Sequence, residues 1–113
     1  MNDCRSCGFL RAGYRSRLAR VGDIVSIDVS KNDMTVKLSN DDGVVVIRGS
    51  LDQCLRKLPA EMFFRASRSC VVNLLQVARV DAAARNIVLR MKGGREIVMS
   101  RKQSLLFGRQ FVL

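Results

Sequence analysis

Short runs of residues that alternate between apolar and polar side chains constrain the fold of this 113-residue chain more than any other feature. The clearest run is IVSIDVS, residues 24–30, which places Val25, Ile27 and Val29 on one face of a strand. Such two-residue periodicity is typical of β-strands with one buried face. The chain is therefore expected to be built mainly from strands.

Further runs of the same kind follow, separated by turn-forming residues. The strand-like runs are IVSIDVS (24–30), MTVKLS (34–39, with Met34, Val36 and Leu38 inward), VVVIR (44–48), VARVDA (77–82), NIVLRMK (86–92) and REIVMS (95–100). KND (31–33), NDDG (40–43) and the Gly93-Gly94 pair lie between consecutive runs and are typical hairpin turns. This order predicts antiparallel hairpins.

Two segments have helical spacing instead. SLDQCLRKLP begins at Ser50, a suitable N-cap, and ends at Pro59, which cannot continue a helix. Ser100 is a suitable cap for RKQSLLFGRQF. The apolar residues of this second helix are expected to return to the core: Leu105, Leu106 and Phe107.

The length fits one domain, and 48% apolar residues are enough to form its core. We predict a flexible N-terminus over residues 1–8 and a single domain over residues 9–113. No apolar run approaches the roughly 18 residues of a membrane span, and the chain starts without a secretory apolar region. We therefore expect a cytoplasmic protein with no membrane partner.

The chain is strongly basic, with 20 Lys and Arg against 10 Asp and Glu and a net charge of +10. Most of the excess lies in residues 57–113, which hold eleven bases and three acids. Such a field favours a polyanionic partner. Six aromatic residues are few for stacking on unpaired bases, so duplex DNA fits better than a single strand.

Catalytic and metal chemistry find little support. The chain has no histidine, and its nearest paired carboxylates, Asp41 and Asp42, lie in a predicted turn. Cys4 and Cys7 form a CxxC motif, but no second such pair follows to complete a zinc site. We predict no enzymatic activity, no cofactor and no metal.

Several polar and cationic residues stand at predicted turns or at a helix start, where side chains reach past the scaffold. Arg pairs with guanine and Asn with adenine through two hydrogen bonds each, and Lys and Ser hold phosphates. The candidate DNA contacts are Lys31, Asn32, Ser67, Arg68, Arg101 and Lys102. Other arginines are expected only to solvate exposed strand faces: Arg79, Arg85, Arg90 and Arg95.

The segment FFRASRSCVVN, residues 63–73, combines core and surface residues. Its core members are expected to be Phe63, Phe64, Val71 and Val72, while Ser67 and Arg68 project from its edge. The segment resembles the signature F-x-R-x-H-R-S-[YF]-[IV]-V-N of the LytTR family of bacterial DNA-binding domains. Three other segments are similar to further family elements: VGDIVSID to D-I-x-[YF]-[IL]-E, SLDQCLRKL to S-L-x-x-[LF]-x-x-x-L, and IVMSRK to I-x-V-S-R-[RK].

The resemblance covers nearly the whole chain from about residue 9. It implies an elongated, mainly β fold of small antiparallel sheets with short helices, which docks by inserting loops into successive major grooves. By position it assigns DNA contacts to Lys31, Asn32 and Met34, to Ser67 and Arg68, and to Arg101 and Lys102. Two residues depart from the pattern: Ser67 replaces the usual histidine, and Cys70 replaces Tyr or Phe.

The expected function is a sequence-specific transcriptional regulator of the response-regulator type that binds double-stranded DNA. The resemblance also implies two copies on direct-repeat sites and a sensor or anti-activator protein as partner. A receiver or membrane module does not fit into 113 residues, so a stand-alone regulator and a fragment both stay open. The alternatives are a basic module that binds RNA or an acidic protein, and a zinc- or redox-sensing regulator that uses Cys4 and Cys7.

Overall fold

A computed structural model describes residues 7–12, 15–39, 43–82 and 85–111. Within these ranges the strands are β1 (Cys7–Ala12), β2 (Arg15–Arg20), β3 (Ile24–Ser30), β4 (Asp33–Leu38), β5 (Val44–Arg48), β6 (Phe63–Ser67), β7 (Cys70–Asn73), β8 (Val77–Asp81), β9 (Val88–Met91) and β10 (Glu96–Val98). The helices are α1 (Leu51–Lys57) and α2 (Arg101–Gln110). Residues 1–6 and 40–42, which include Cys4 and the Asp41-Asp42 pair, lie outside the described residues.

The strands form three antiparallel units. The largest is a five-stranded sheet of order β5-β4-β3-β7-β6, and a second sheet has the order β10-β9-β8. β1 and β2 pair as a separate hairpin, with β1 next to β5. The molecule extends over 44 × 35 × 25 Å, so the expectation of an elongated, mainly β fold with short helices is confirmed.

Both faces of the five-stranded sheet are covered, which produces two apolar cores. One core lies between the sheet and α1, with Ile27, Val36 and Leu51 among its buried members. The other lies between the sheet, the three-stranded sheet and α2, and includes Leu89 and Phe107. Central strands therefore bury apolar side chains on both faces.

The segment of residues 63–73 shows this division directly. Phe63 and Val71 belong to the first core, whereas Val72 belongs to the second with Phe64 packed against it. All four side chains that were expected in the core therefore contribute to one core or the other.

The predicted hairpins and strand boundaries are largely confirmed, but the face assignment along β3 is wrong. Val25 belongs to the second core, whereas Ile27 belongs to the first and Val29 packs against it. The register of β3 against β4 shifts between Ile24 and Ser26. This irregularity inserts one residue and reverses the alternation, so Val25 points away from Ile27.

The two helices start where their caps predict. The hydroxyl oxygens of Ser50 and Ser100 accept hydrogen bonds from the amides of Gln53 and Gln103, at 3.1 and 3.2 Å. α1 ends at Lys57, two residues before Pro59. Neither helix of the described ranges has the length and apolar content that crossing a membrane requires.

The prediction that Leu105 and Leu106 return to the core is wrong: their side chains are 63% and 40% exposed. The buried stripe of α2 runs through Ser104 and Phe107 instead. Ser104 accepts a hydrogen bond from the amide of Ile87 at 2.9 Å, and the ring of Phe107 meets Phe64 edge-on at 5.1 Å. These contacts fix the rotation of α2, and the leucines lie off that stripe.

Buried polar groups connect the layers. The amide of Asn73, which is fully buried, donates to the carbonyls of Ile24 and Gly22 at 2.8 and 3.2 Å and accepts from the amide of Leu75 at 2.9 Å. Asn73 thereby attaches the end of β7 to the turn that precedes β3.

Arg95 is half-buried, so the expectation that it solvates an exposed strand face is wrong. Its guanidinium forms two hydrogen bonds with the Asp28 carboxylate, at 2.7 and 2.9 Å, and one with the Ser26 hydroxyl at 3.0 Å. Arg79, Arg85 and Arg90 are exposed as expected. Arg95 therefore connects the β9–β10 hairpin to β3.

Candidate nucleic-acid interface

Three separate segments meet at one end of the five-stranded sheet. They are the β3–β4 turn, the β6–β7 turn and the start of α2. The amide of Val29 donates to the carbonyl of Ser69 at 2.8 Å, which joins the two turns. The amide of Ser100 donates to the carbonyl of Ala66 at 3.3 Å and places the start of α2 beside β6.

All six candidate DNA contacts lie in these three segments. We call this region the basic end and define it by Lys31, Asn32, Ser67, Arg68, Arg101 and Lys102. Ser67 is half-buried and the other five are exposed. Residues separated by up to 71 positions in the sequence are therefore brought to one surface by the pairing of β3 with β7 and by the contact of Ser100 with Ala66.

The β3–β4 turn consists of two residues, because Ser30 pairs with Asp33. Lys31 has a φ of 57°, in the left-handed region that non-glycine residues rarely occupy. The carbonyl of Asn32 accepts from the amide of Gly49 at 3.2 Å, which ties the turn to the end of β5. The turn is thus held by its neighbours with both side chains exposed.

The β6–β7 turn is fastened by Arg65, which lies just before it. The Arg65 guanidinium donates to the carbonyls of Ser67 and Arg68, at 3.3 and 2.8 Å, and to the Asp52 carboxylate of α1 at 2.7 Å. Its fork is therefore occupied by the protein. The hydroxyl oxygen of Ser67 accepts from the amide of Ser69 at 3.3 Å, so Ser67 also shapes the turn.

Among the residues that the structure describes, the cations of the basic end have no acidic partner. Lys31, Arg68, Arg101 and Lys102 form no ion pair with any residue of the described ranges. Two nearby acids, Asp28 and Asp52, are paired with Arg95 and Arg65. The positive charge at this end is consequently available to an anion.

Sequence reasoning missed Arg48 and the role of Arg65, and it misassigned Met34. Arg48 ends β5 beside the β3–β4 turn, with 90% of its side chain exposed and a long 3.9 Å ion pair to Asp33. Met34 is 4% exposed in the first core, so it is not available for a DNA contact. The sequence shows that KND is a polar turn. Only the pairing of β5 with β4 shows that Arg48 lies opposite Asp33 at this end.

A groove of about 520 Å³ opens beside the β3–β4 turn. Lys31 and Asn32 lie along it together with Arg48, and the Arg65–Asp52 pair also contributes to its lining. The groove therefore adjoins the basic end and carries mainly positive charge.

Two thiols whose side chains the structure describes, Cys54 and Cys70, are shifted towards the protonated form. Burial and the neighbouring Asp28 carboxylate raise the pKa of Cys70 to about 12, so this thiol stays protonated at neutral pH. Burial also raises the pKa of Cys54. The described part of the chain contains no cluster of three or more potential metal-ligating His, Cys, Asp or Glu residues.

Comparison with known proteins gives one family and a similar solved structure. The family model described as "LytTr DNA-binding domain" matches residues 14–111. The fold is similar to that of a LytTr DNA-binding domain from Bacillus cereus, taken from a protein described as a methyl-accepting/DNA response regulator. The TM-score is 0.83 at 16% identity, over 96% of this chain and 98% of that one. No curated protein matches the chain.

Proposed function

Because the chain belongs to the LytTR family of DNA-binding domains, which is not an enzyme family, we propose that it regulates transcription by reading duplex DNA sequence-specifically with its basic end. The two turns and the start of α2 enter successive major grooves. The protein acts in the bacterial cytoplasm, as two copies on direct-repeat sites, under the control of a sensor or anti-activator protein.

The convergence of three segments at the basic end carries this proposal. The two hydrogen bonds that join them, Val29 to Ser69 and Ser100 to Ala66, hold the segments in fixed relation to one another. A preorganised surface of exposed cations can match phosphates and base edges without first ordering a loop.

The side chains divide into two roles by their chemistry. Arg68, Arg101 and Asn32 touch base edges, because Arg pairs with guanine and Asn with adenine through two hydrogen bonds. Lys31, Ser67 and Lys102 hold phosphates, which set the register of the protein on the duplex.

The decisive experiment is fluorescence anisotropy with labelled random duplex, single-stranded DNA and hairpin RNA across a salt series, followed by selection of bound duplexes. A preference for duplex and enrichment of one motif support the proposal. A preference for hairpin RNA, or no nucleic-acid binding, would favour the alternative of an RNA- or protein-binding module.

Point variants then test the surface itself. Replacing Arg68 or Lys102 by Ala is expected to weaken binding to the selected duplex by about 1–3 kcal/mol. Arg79→Ala is the matched control, because Arg79 is exposed but does not belong to the basic end. It lies on β8 of the three-stranded sheet, where it pairs in register with Arg90. If both basic-end variants bind like this control, the assigned surface is wrong.

A further inference from the structure

We propose that the groove beside the β3–β4 turn is a binding site for a DNA backbone phosphate, with Arg48 and Lys31 as its ligands. This inference rests on the proposed function and extends the interface to β5, the edge strand of the five-stranded sheet.

The charges around the groove support an anionic ligand. The side chain of Arg48 is 90% exposed and its ion pair with Asp33 is long, at 3.9 Å, so its guanidinium is only weakly bound within the protein. Asp52, the acid that contributes to the groove, is engaged by Arg65 at 2.7 Å. Lys31 and Arg48 are left to attract an anion.

The position of Arg48 favours a phosphate over a base edge. In the strand order, β5 lies three and a half strand spacings from the middle of the β6–β7 turn, roughly 17 Å at 4.8 Å per spacing. The major groove is about 12 Å wide. The separation between Arg48 and Arg68 therefore exceeds the width of the groove. With Arg68 inside a major groove, Arg48 lies over the sugar-phosphate backbone that borders it.

The test compares Arg48→Gln with the control Arg79→Gln, which removes the same charge from the other sheet. Both are measured on the selected duplex and on random duplex across a salt series. Arg48→Gln should weaken binding to both duplexes by the same factor, about five- to tenfold near 0.1 M salt, and reduce the salt slope by about 0.9. The selected motif should stay unchanged.

A methylphosphonate scan of the selected duplex locates the contact. Neutralising one phosphate beside the motif should weaken the parent protein more than Arg48→Gln, in which only Lys31 still contacts that phosphate.

Two results would overturn the inference. In one, Arg48→Gln binds like Arg79→Gln; in the other, its selected motif changes, which would make Arg48 a base contact. If the parent shows no preference for duplex DNA, the proposed function fails as well, and this is seen before any variant is compared.

Discussion

The backbone at Lys31 adopts a φ of 57°, a conformation that glycine reaches at lower cost than any residue with a side chain. Replacing Lys31 by Gly relieves an αL penalty of about 1–2 kcal/mol but adds about 0.5–1 kcal/mol of chain entropy. We expect Lys31→Gly to keep the free energy of unfolding within about 1 kcal/mol of the parent, towards higher stability. Urea denaturation measures this change.

The same variant should bind DNA less well, because it lacks a cation of the basic end. Lys31→Ala is the control, since it removes the same charge but keeps the strained backbone. Both should lose DNA affinity equally, while only the glycine variant gains stability. A strong destabilisation by glycine would show that the side chain of Lys31 supports the fold instead.

Arg65 is a cation that the structure assigns to positioning, because its guanidinium holds two carbonyls of the β6–β7 turn and Asp52. Arg65→Lys keeps the charge and loses the planar fork. We expect the free energy of unfolding to fall by about 1–2 kcal/mol, the amides of residues 67–69 to exchange faster with deuterium, and DNA affinity to fall about tenfold.

Arg68→Lys separates positioning from contact with DNA. The Arg68 side chain is exposed, so this change should leave the stability within about 0.5 kcal/mol and the amide exchange of the turn unaltered, while DNA binding weakens. If Arg65→Lys preserves both the exchange rates and the affinity, the fork has no positioning role.

At the scale of elements, local patterns identified most strands, both helix starts and the hairpin turns. They failed where tertiary contacts shift the phase of a pattern. The shift of register between Ile24 and Ser26 leaves Val25 as an extra residue that faces the second core. The contacts of Ser104 and Phe107 set the rotation of α2, which turns Leu105 away from the core. Neither the register shift in β3 nor the contacts that orient α2 can be read from the periodicity of the segment concerned.

The Asp28–Arg95 pair joins β3 to the β9–β10 hairpin and predicts a pH dependence of stability. Burial opposes ionisation of Asp28, but hydrogen bonds and the charge of Arg95 outweigh it, so the pKa of Asp28 lies below its usual range. A carboxylate with a lowered pKa stabilises the fold above its unfolded pKa of about 3.9 and loses this contribution as the pH falls further.

We therefore expect Asp28→Asn to be less stable than the parent by about 1–2 kcal/mol at pH 7, between the values of exposed and buried pairs. The difference should persist down to about pH 5 and shrink below about pH 4. Urea denaturation of both proteins at each pH measures it. Glu96→Gln, which removes the exposed pair with Arg90, is the control and should stay within about 0.5 kcal/mol.

At the scale of the whole molecule, the basic end illustrates what sequence reasoning can and cannot supply. Charge and turn position selected the six residues, and the resemblance assigned them to DNA. Their meeting depends on the pairing of β3 with β7 and on the contact of Ser100 with Ala66, which join distant segments. Arg48 escaped notice because its neighbour in space, the β3–β4 turn, precedes it by sixteen residues and more in the sequence.

The number of exposed cations at this end predicts the salt dependence of DNA binding. Four belong to the basic end, Lys31, Arg68, Arg101 and Lys102, and a fifth, Arg48, lies in the adjoining groove. Each neutralised phosphate contributes about 0.9 to the slope of log K against log salt, so five phosphate contacts give about −4.5. The three cations assigned to phosphates, Lys31, Arg48 and Lys102, give about −2.7, so we expect a slope between about −2.7 and −4.5 on duplex DNA.

The slope also distinguishes a phosphate-bound interface from diffuse attraction by the net charge of +10. Removal of any one of the five cations that holds a phosphate should reduce the slope by about 0.9, whereas Arg79→Gln should leave it nearly unchanged, because Arg79 lies on the other sheet. Equal reductions from all these variants would mean that overall charge, and not the arrangement of the basic end, attracts the DNA.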